Sequence, residues 1–195
     1  MMNERTETRT VVFAMCGSFC SFAAVLPQIR ELRRRGWAVL PLLSASAAAL
    51  DTRFGTAAQL RRTLRELTGR EPLTSLQQAE PLGPQKLADA MVIGPCTGTT
   101  LALLARGISS TAVTLAAKSL LRGGRPIVLA PSTNDGLAGS APNLAALLQR
   151  KHFYFVPFGQ DDCYKKPASL KSDFALLPDT LESAMRGVQL QPLLL

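Results

Sequence analysis

A chain of 195 residues with 47% hydrophobic and 18% charged residues holds enough apolar material for one buried core, which excludes a disordered or fibrous protein and leaves little for a second full domain. The four cysteines, Cys16, Cys20, Cys96 and Cys163, form no CxxC pair and His152 is the single histidine, which argues against a structural zinc site. The net charge of +8 fits nucleic acid, an acidic surface or an anionic cofactor and substrate; yet the basic residues Arg30, Arg33, Arg34, Arg35, Arg61, Arg62 and Arg65 fall at helical spacing with no interleaved aromatic residues, so solvated helix faces are expected and no nucleic-acid partner.

The opening Met1 to Thr10 is polar, and residues 1–9 are expected to be flexible; with no apolar segment suited to export or to spanning a bilayer, a cytoplasmic location and no membrane partner are expected. Thr10 to Met15 reads as a buried strand feeding the turn Cys16-Gly17-Ser18. From Ser21 to Arg35 apolar residues recur at three and four, predicting a helix closed by Gly36, with Pro27 placed most economically in its first turn. Trp37 to Leu43 is a second strand ending in Ser44-Ala45-Ser46, and Thr56 to Leu67 a helix stopped by Gly69. The Pro-rich stretch Arg70 to Gln85 predicts a short strand and an ordered loop. Ala88 to Ile93 is a strand, followed by helices over Thr99 to Ala105 and Thr111 to Leu121. Arg125 to Ala130 is a strand, Asn143 to Arg150 a helix, His152 to Val156 a strand, and Pro178 to Gly187 a final helix before a tail over residues 188–195. This alternation predicts a single α/β domain over residues 1–195: a three-layer, Rossmann-like (flavodoxin-like) parallel sheet with helices on both faces.

In such sheets ligands bind at the carboxyl ends of the strands. Three strand ends carry small hydroxyl-rich turns: Gly17-Ser18, Ser44-Ala45-Ser46 and Thr97-Gly98-Thr99-Thr100. Helix-terminal amides with hydroxyl donors form a phosphate cradle without lysine, although each Ser or Thr taken singly equally suits a helix cap. Neither GxGxxG nor GxxxxGK[ST] occurs, so a mononucleotide fits better than a dinucleotide or a nucleoside triphosphate.

These turns, and above all Pro95-Cys-Thr-Gly-Thr-Thr-Leu-Ala102 followed by Ala105-Arg-Gly107, resemble the flavin-contacting loops of the flavoprotein family, which includes phosphopantothenoylcysteine decarboxylase, lantibiotic cysteine decarboxylases and flavin prenyltransferases. The resemblance implies FMN held by Gly17, Ser18, Ser44, Thr97, Gly98, Thr99, Thr100 and Ser132, with Asn134 on the substrate side. Further segments, Val25 to Ile29, Asp51 to Gly55, Ala79 to Pro84, Ser132 to Asp135, Tyr154 to Asp161 and Gln189 to Pro192, resemble a branch of that family in spore-forming bacteria. Members of that branch are flavoproteins that act with a dehydrogenase-like partner to make the pyridine dicarboxylate of spores. That likeness implies one component of an oxidoreductase with NAD(P) on the dehydrogenase-like partner, a small dicarboxylate substrate, and a homo-oligomer that is a trimer or a multiple of trimers.

The chain departs from the decarboxylase pattern. Glu80-Pro81-Leu82-Gly83 stands near the place of a catalytic histidine, and only Pro131 and Asn134 remain of the Pro-x-Met-Asn motif. A dicarboxylate needs cationic donors, for which Lys118 is the candidate beside Asn134, with Arg53, Arg122 and Arg125 as alternatives; each more readily reads as a solvated helix-face or loop salt-bridge residue. Asn134-Asp135-Gly136 also suits a plain turn. Cys16, Cys20, Cys96 and His152 read as structural, and Glu80, Asp161 and Asp162 as solvated turn carboxylates, so no acid or base is assigned.

Overall fold

Val11, Val12, Phe13, Ala14 and Met15 are all fully buried, which is possible for consecutive strand residues only when both faces of the sheet are covered. The computed structural model, which describes residues 8–195, shows how. Strands β1 (Thr10–Met15), β2 (Ala38–Leu43), β3 (Ala90–Cys96), β4 (Ile127–Thr133) and β5 (Phe153–Phe155) run parallel in the order β2-β1-β3-β4-β5. Alternate residues of β1 then face opposite layers. Val12 and Ala14 join the cluster that holds Met91, Leu101, Leu120 and Leu144, while Val11, Phe13 and Met15 join Ile29, Leu32, Leu64 and Leu181. The first layer comes from α5 (Gly98–Ala105), α6 (Ala112–Leu121) and α7 (Ala141–Leu148). The second comes from α1 (Phe22–Arg34), α3 (Ala57–Thr68) and α8 (Leu177–Met185).

The apolar runs predicted a parallel sheet, but one edge of the observed sheet is antiparallel. β4 forks along one edge: Ile127 to Leu129 pair with β5, whereas Ser132 and Thr133 pair antiparallel with Lys171 and Leu170 of β7 (Lys166–Ser172). β7 forms a hairpin with β6 (Phe158–Asp162). The hairpin buries few of its residues and is largely polar, so it carries no continuous apolar run by which to read it. It is seated by Gly136, where an added Cβ would lie 2.6–2.7 Å from Leu170 side-chain atoms.

Other departures are local. Pro27 is the sixth residue of α1 rather than part of its first turn, and a 3-10 turn over Phe19–Ser21 precedes it. Ser44-Ala45-Ser46, expected only as a turn, opens the short helix α2 (Ala45–Ala49). The strand expected between Arg70 and Gln85 is reduced to a single parallel bridge, Leu42 to Leu73, followed by α4 (Leu76–Ala79) and a 3-10 turn over Glu80–Leu82. The flexible stretch expected over residues 1–9 lies mostly outside the described residues; Arg9 itself pairs with Glu182 at 3.1 Å and stacks on Trp37 at 4.3 Å. The tail over 188–195 runs back beside β6, with Leu194 bridged to Phe158.

Candidate functional site

The strand order reverses between β1 and β3, because the chain leaves β1 for β2 on one side and returns to β3 on the other. A crevice at the carboxyl ends of those strands is the expected ligand position. Two hollows open there, of about 340 and 330 Å³, and share Gly17, Phe19 and Thr97 in their walls. Each alone lies at the low end of the range for small-molecule sites; side by side they suit an elongated ligand.

The first hollow is lined by Cys16, Ser44, Ser46, Thr99, Thr100 and Thr111 among others. Its polar character comes from helix starts. Ser44 Oγ accepts the Ala47 N–H at 3.3 Å to cap α2, and Thr97 Oγ1 accepts the Thr100 N–H at 3.4 Å to cap α5. The capping alternative therefore holds for both residues, but it does not exhaust the amides. The first N–H groups of α5, at Gly98 and Thr99, have no acceptor within the helix, and the helix dipole adds positive potential at that end. An anionic group would find donors there without any lysine. Thr100 Oγ1 donates to Cys16 Sγ at 3.4 Å, and burial pushes the Cys16 thiol up to about 11, so this cysteine is a neutral packing group in the wall.

The second hollow is lined by Ser18, Cys20, Ser21, Phe54, Gly98, Ser132, Thr133, Asn134, Asp161, Lys166 and Lys171. Ser132 Oγ lies 2.8 Å from Ser18 Oγ and 2.9 Å from Ser21 Oγ, so three hydroxyls tie the turn after β1 to the end of β4. Beyond β4, Asp135 organises the loop: its carboxylate accepts from the Thr133 and Ser140 hydroxyls, and these bonds hold its pKa below the usual carboxylate value. Gly98 fits against this clasp, where an added Cβ would lie 2.7 Å from Ser140 Oγ and 2.9 Å from Thr133 Oγ1. Asn134 is exposed in the same loop, so its amide is open to a ligand.

The eight residues assigned to a cofactor from the sequence, Gly17, Ser18, Ser44, Thr97, Gly98, Thr99, Thr100 and Ser132, thus all line one hollow or the other, and Asn134 lines the second. Lys118 does not join them. It lines a separate hollow with Arg122, Arg150 and Phe153, because α6 runs back from the site and carries position 118 roughly 10 Å along the helix from Thr111. Arg125 pairs with Asp89 at 3.7 Å, just ahead of β4 and β3, and His152 immediately precedes β5; both therefore sit at the opposite edge of the sheet. The Glu80 carbonyl accepts the Ser119 hydroxyl away from both hollows, and Arg53 stacks on Phe54 at the rim, 4.8 Å from its centroid.

Reasoning from the sequence missed Lys166, Lys171, Phe19 and Phe54 in these walls. The available signal for the lysines was the charge-rich Asp161-Asp-Cys-Tyr-Lys-Lys166 turn, in which the Asp162 carboxylate accepts the N–H groups of Tyr164 and Lys165. Asp161, expected to be a solvated turn residue, lies between the two lysines at 3.0 and 3.7 Å.

A family model described as Flavoprotein matches residues 2–172. The chain belongs to the Flavoprotein family. Within the family it is 42% identical to the second subunit of dipicolinate synthase from Bacillus subtilis (strain 168) over 186 residues, covering 95% of this chain and 93% of that protein. The crystal structure of the same dipicolinate synthase subunit from Bacillus halodurans superposes with a TM-score of 0.88 at 37% identity, covering 96% of both chains. The FMN-dependent cysteine decarboxylase SpaF shares the fold, with a TM-score of 0.67 at 24% identity over 90% of this chain and 97% of that one. Among the described residues no helix is long and apolar enough to cross a membrane.

Proposed function

We propose that this chain binds FMN across the two hollows and serves as the flavoprotein component of a dipicolinate synthase. With the dehydrogenase-like first subunit of that synthase it would convert a dihydrodipicolinate precursor to dipicolinate in the cytoplasm of a sporulating cell. The observation that carries the reading is the convergence of four strand ends on one crevice lined by hydroxyls and the start of a helix, in a chain similar over nearly its whole length to the second subunit of dipicolinate synthase.

In this reading Ser44 and Thr97 to Thr100 hold the phosphate, Ser18 and Ser132 border the ring, and Gly17 and Gly98 let the backbone approach it closely. Phe19 and Phe54 limit water at the crevice, and Asn134 presents its amide to the substrate. Lys118 lines another hollow, and this reading gives it no role. A bound flavin supplies a two-electron acceptor beside the substrate. Aromatisation removes two electrons and two protons from the dihydropyridine; the flavin would be the first acceptor of that pair, and oxidised NAD(P) on the dehydrogenase-like partner would be the final one, accepting the equivalent of a hydride with release of one proton. Homo-oligomers, trimers or multiples of trimers, would place these sites at the boundaries between protomers.

Decarboxylation or prenyl transfer is the second reading; the position of the single histidine, His152, ahead of β5 and outside both hollows, counts against the former. The visible absorption spectrum of the purified chain, repeated anaerobically with the dehydrogenase-like partner, a nicotinamide cofactor and fresh precursor, tests the proposal. Flavin bands that bleach on substrate addition and recover with an acceptor are expected. Colourless protein would sink the cofactor assignment, and a flavin unchanged throughout turnover would reduce the chain to a non-redox component that stabilises its partner.

A further inference from the structure

The second hollow contains a charge arrangement that FMN binding leaves unused. Asp161 is shared by two ammonium groups, Lys166 Nζ at 3.0 Å and Lys171 Nζ at 3.7 Å, so two cations meet one carboxylate here, with the Asp162 carboxylate of the adjoining turn also acting on Lys166. The lysine side chains are 54% and 41% exposed, the carboxylate 26%, so both cations are open to solvent beside a less exposed counter-ion. Strand register sets the place of Lys171, which pairs with Ser132 of β4, the residue that closes the hydroxyl triangle. Asn134 lines the same hollow.

We propose that Lys166 and Lys171, with Asn134, recognise the substrate through its carboxylates, and that Asp161 is a resident counter-ion which an incoming carboxylate replaces at one lysine. The identity of the ligand as a pyridine dicarboxylate rests on the function proposed above; the recognition itself needs no flavin. An ammonium group is a point charge that accepts a carboxylate from several directions. With Asp161 displaced from one lysine, one carboxylate of the ligand meets that ammonium group and the other finds the second lysine or the neutral Asn134 amide, contacts that an uncharged analogue makes less strongly. Because the lysines are partly exposed, the attraction is screened by salt.

Calorimetric titration of the full chain with pyridine-2,6-dicarboxylate, and with the uncharged pyridine-2,6-dicarboxamide, tests this. The dicarboxylate should bind about tenfold or more tightly than the diamide and more weakly as salt is added. Lys166→Met and Lys171→Met should each lose about tenfold in affinity, the size of one charge-assisted contact. Asp161→Asn should bind the dicarboxylate at least as tightly as the parent chain. Failure of the parent chain to bind the dicarboxylate, equal affinity for both probes, or folded lysine variants within about twofold of the parent would overturn the proposal. Flavin content, read separately from the visible spectrum, separates the two ideas. Colourless protein with lysine-dependent dicarboxylate binding removes the FMN reading alone; flavin-loaded protein with lysine-independent binding removes this one alone.

Discussion

Cys16 directly follows β1 and Cys96 ends β3, with both thiols buried, while Cys20 and Cys163 are exposed. Burial raises Cys16 to about 11 and holds Cys96 well above the ordinary thiol value, so neither carries appreciable thiolate at neutral pH, and the thiolate is the reactive form. A thiol-specific chromogenic reagent at pH 7 should therefore modify two cysteines in the folded chain and four in denaturant; rapid modification of all four without unfolding would contradict this burial. Gly98 is equally specific in its demands. A Cβ there meets Ser140 Oγ, Thr133 Oγ1 and Asp135 Oδ1 at 2.7–3.0 Å, so Gly98→Ala must open the clasp that shapes the loop bearing Asn134. Overpacking of this kind costs about 1–3 kcal/mol. The variant should take up flavin poorly even where its circular dichroism matches the parent, and flavin uptake equal to the parent's would show that the clasp is not needed. The small residues at positions 17 and 98 were legible from the sequence because strand ends in a parallel sheet are read from local runs, whereas Ser132 came only from the resemblance to the family. That Ser18 and Ser132 meet was not legible, since 114 positions separate them.

At the scale of elements, the short strand β5 has its second edge satisfied in an unusual way. The Gln189 side chain accepts the Phe155 N–H and donates to the Phe155 carbonyl, each at 2.7 Å, doing with one amide what a neighbouring strand would do with its backbone. Gln189→Ala should leave both backbone groups unpaired and cost about 1–3 kcal/mol, a fall in Tm of roughly 2–4 °C per kcal/mol for a chain of this size; an unchanged melting curve would show that water replaces the amide without loss. The β6–β7 hairpin is the element that the sequence hid. It alternates poorly, its register shifts between Gln160 and Asp162, and its turn is charged, so it resembles a loop until Leu170 is seen buried beside Gly136.

For the whole molecule, the parallel half of the sheet and its covering helices follow from the chain read alone, because each strand there is a continuous apolar run and helices such as α1 and α3 are amphipathic, signals that are complete within a dozen residues. The cluster of hydroxyl-rich turns is determined in the same way, as is membership of a family whose loops those turns resemble. The tertiary structure decided which cations reach the site. Lys118 falls in a predicted helix and Lys171 in a stretch with no predicted element, but α6 carries the first away from the carboxyl edge of the sheet while the fork in β4 brings the second to it. Charge has no periodicity of its own in a sequence; its position is set by strand pairing and helix direction, which only the folded chain supplies.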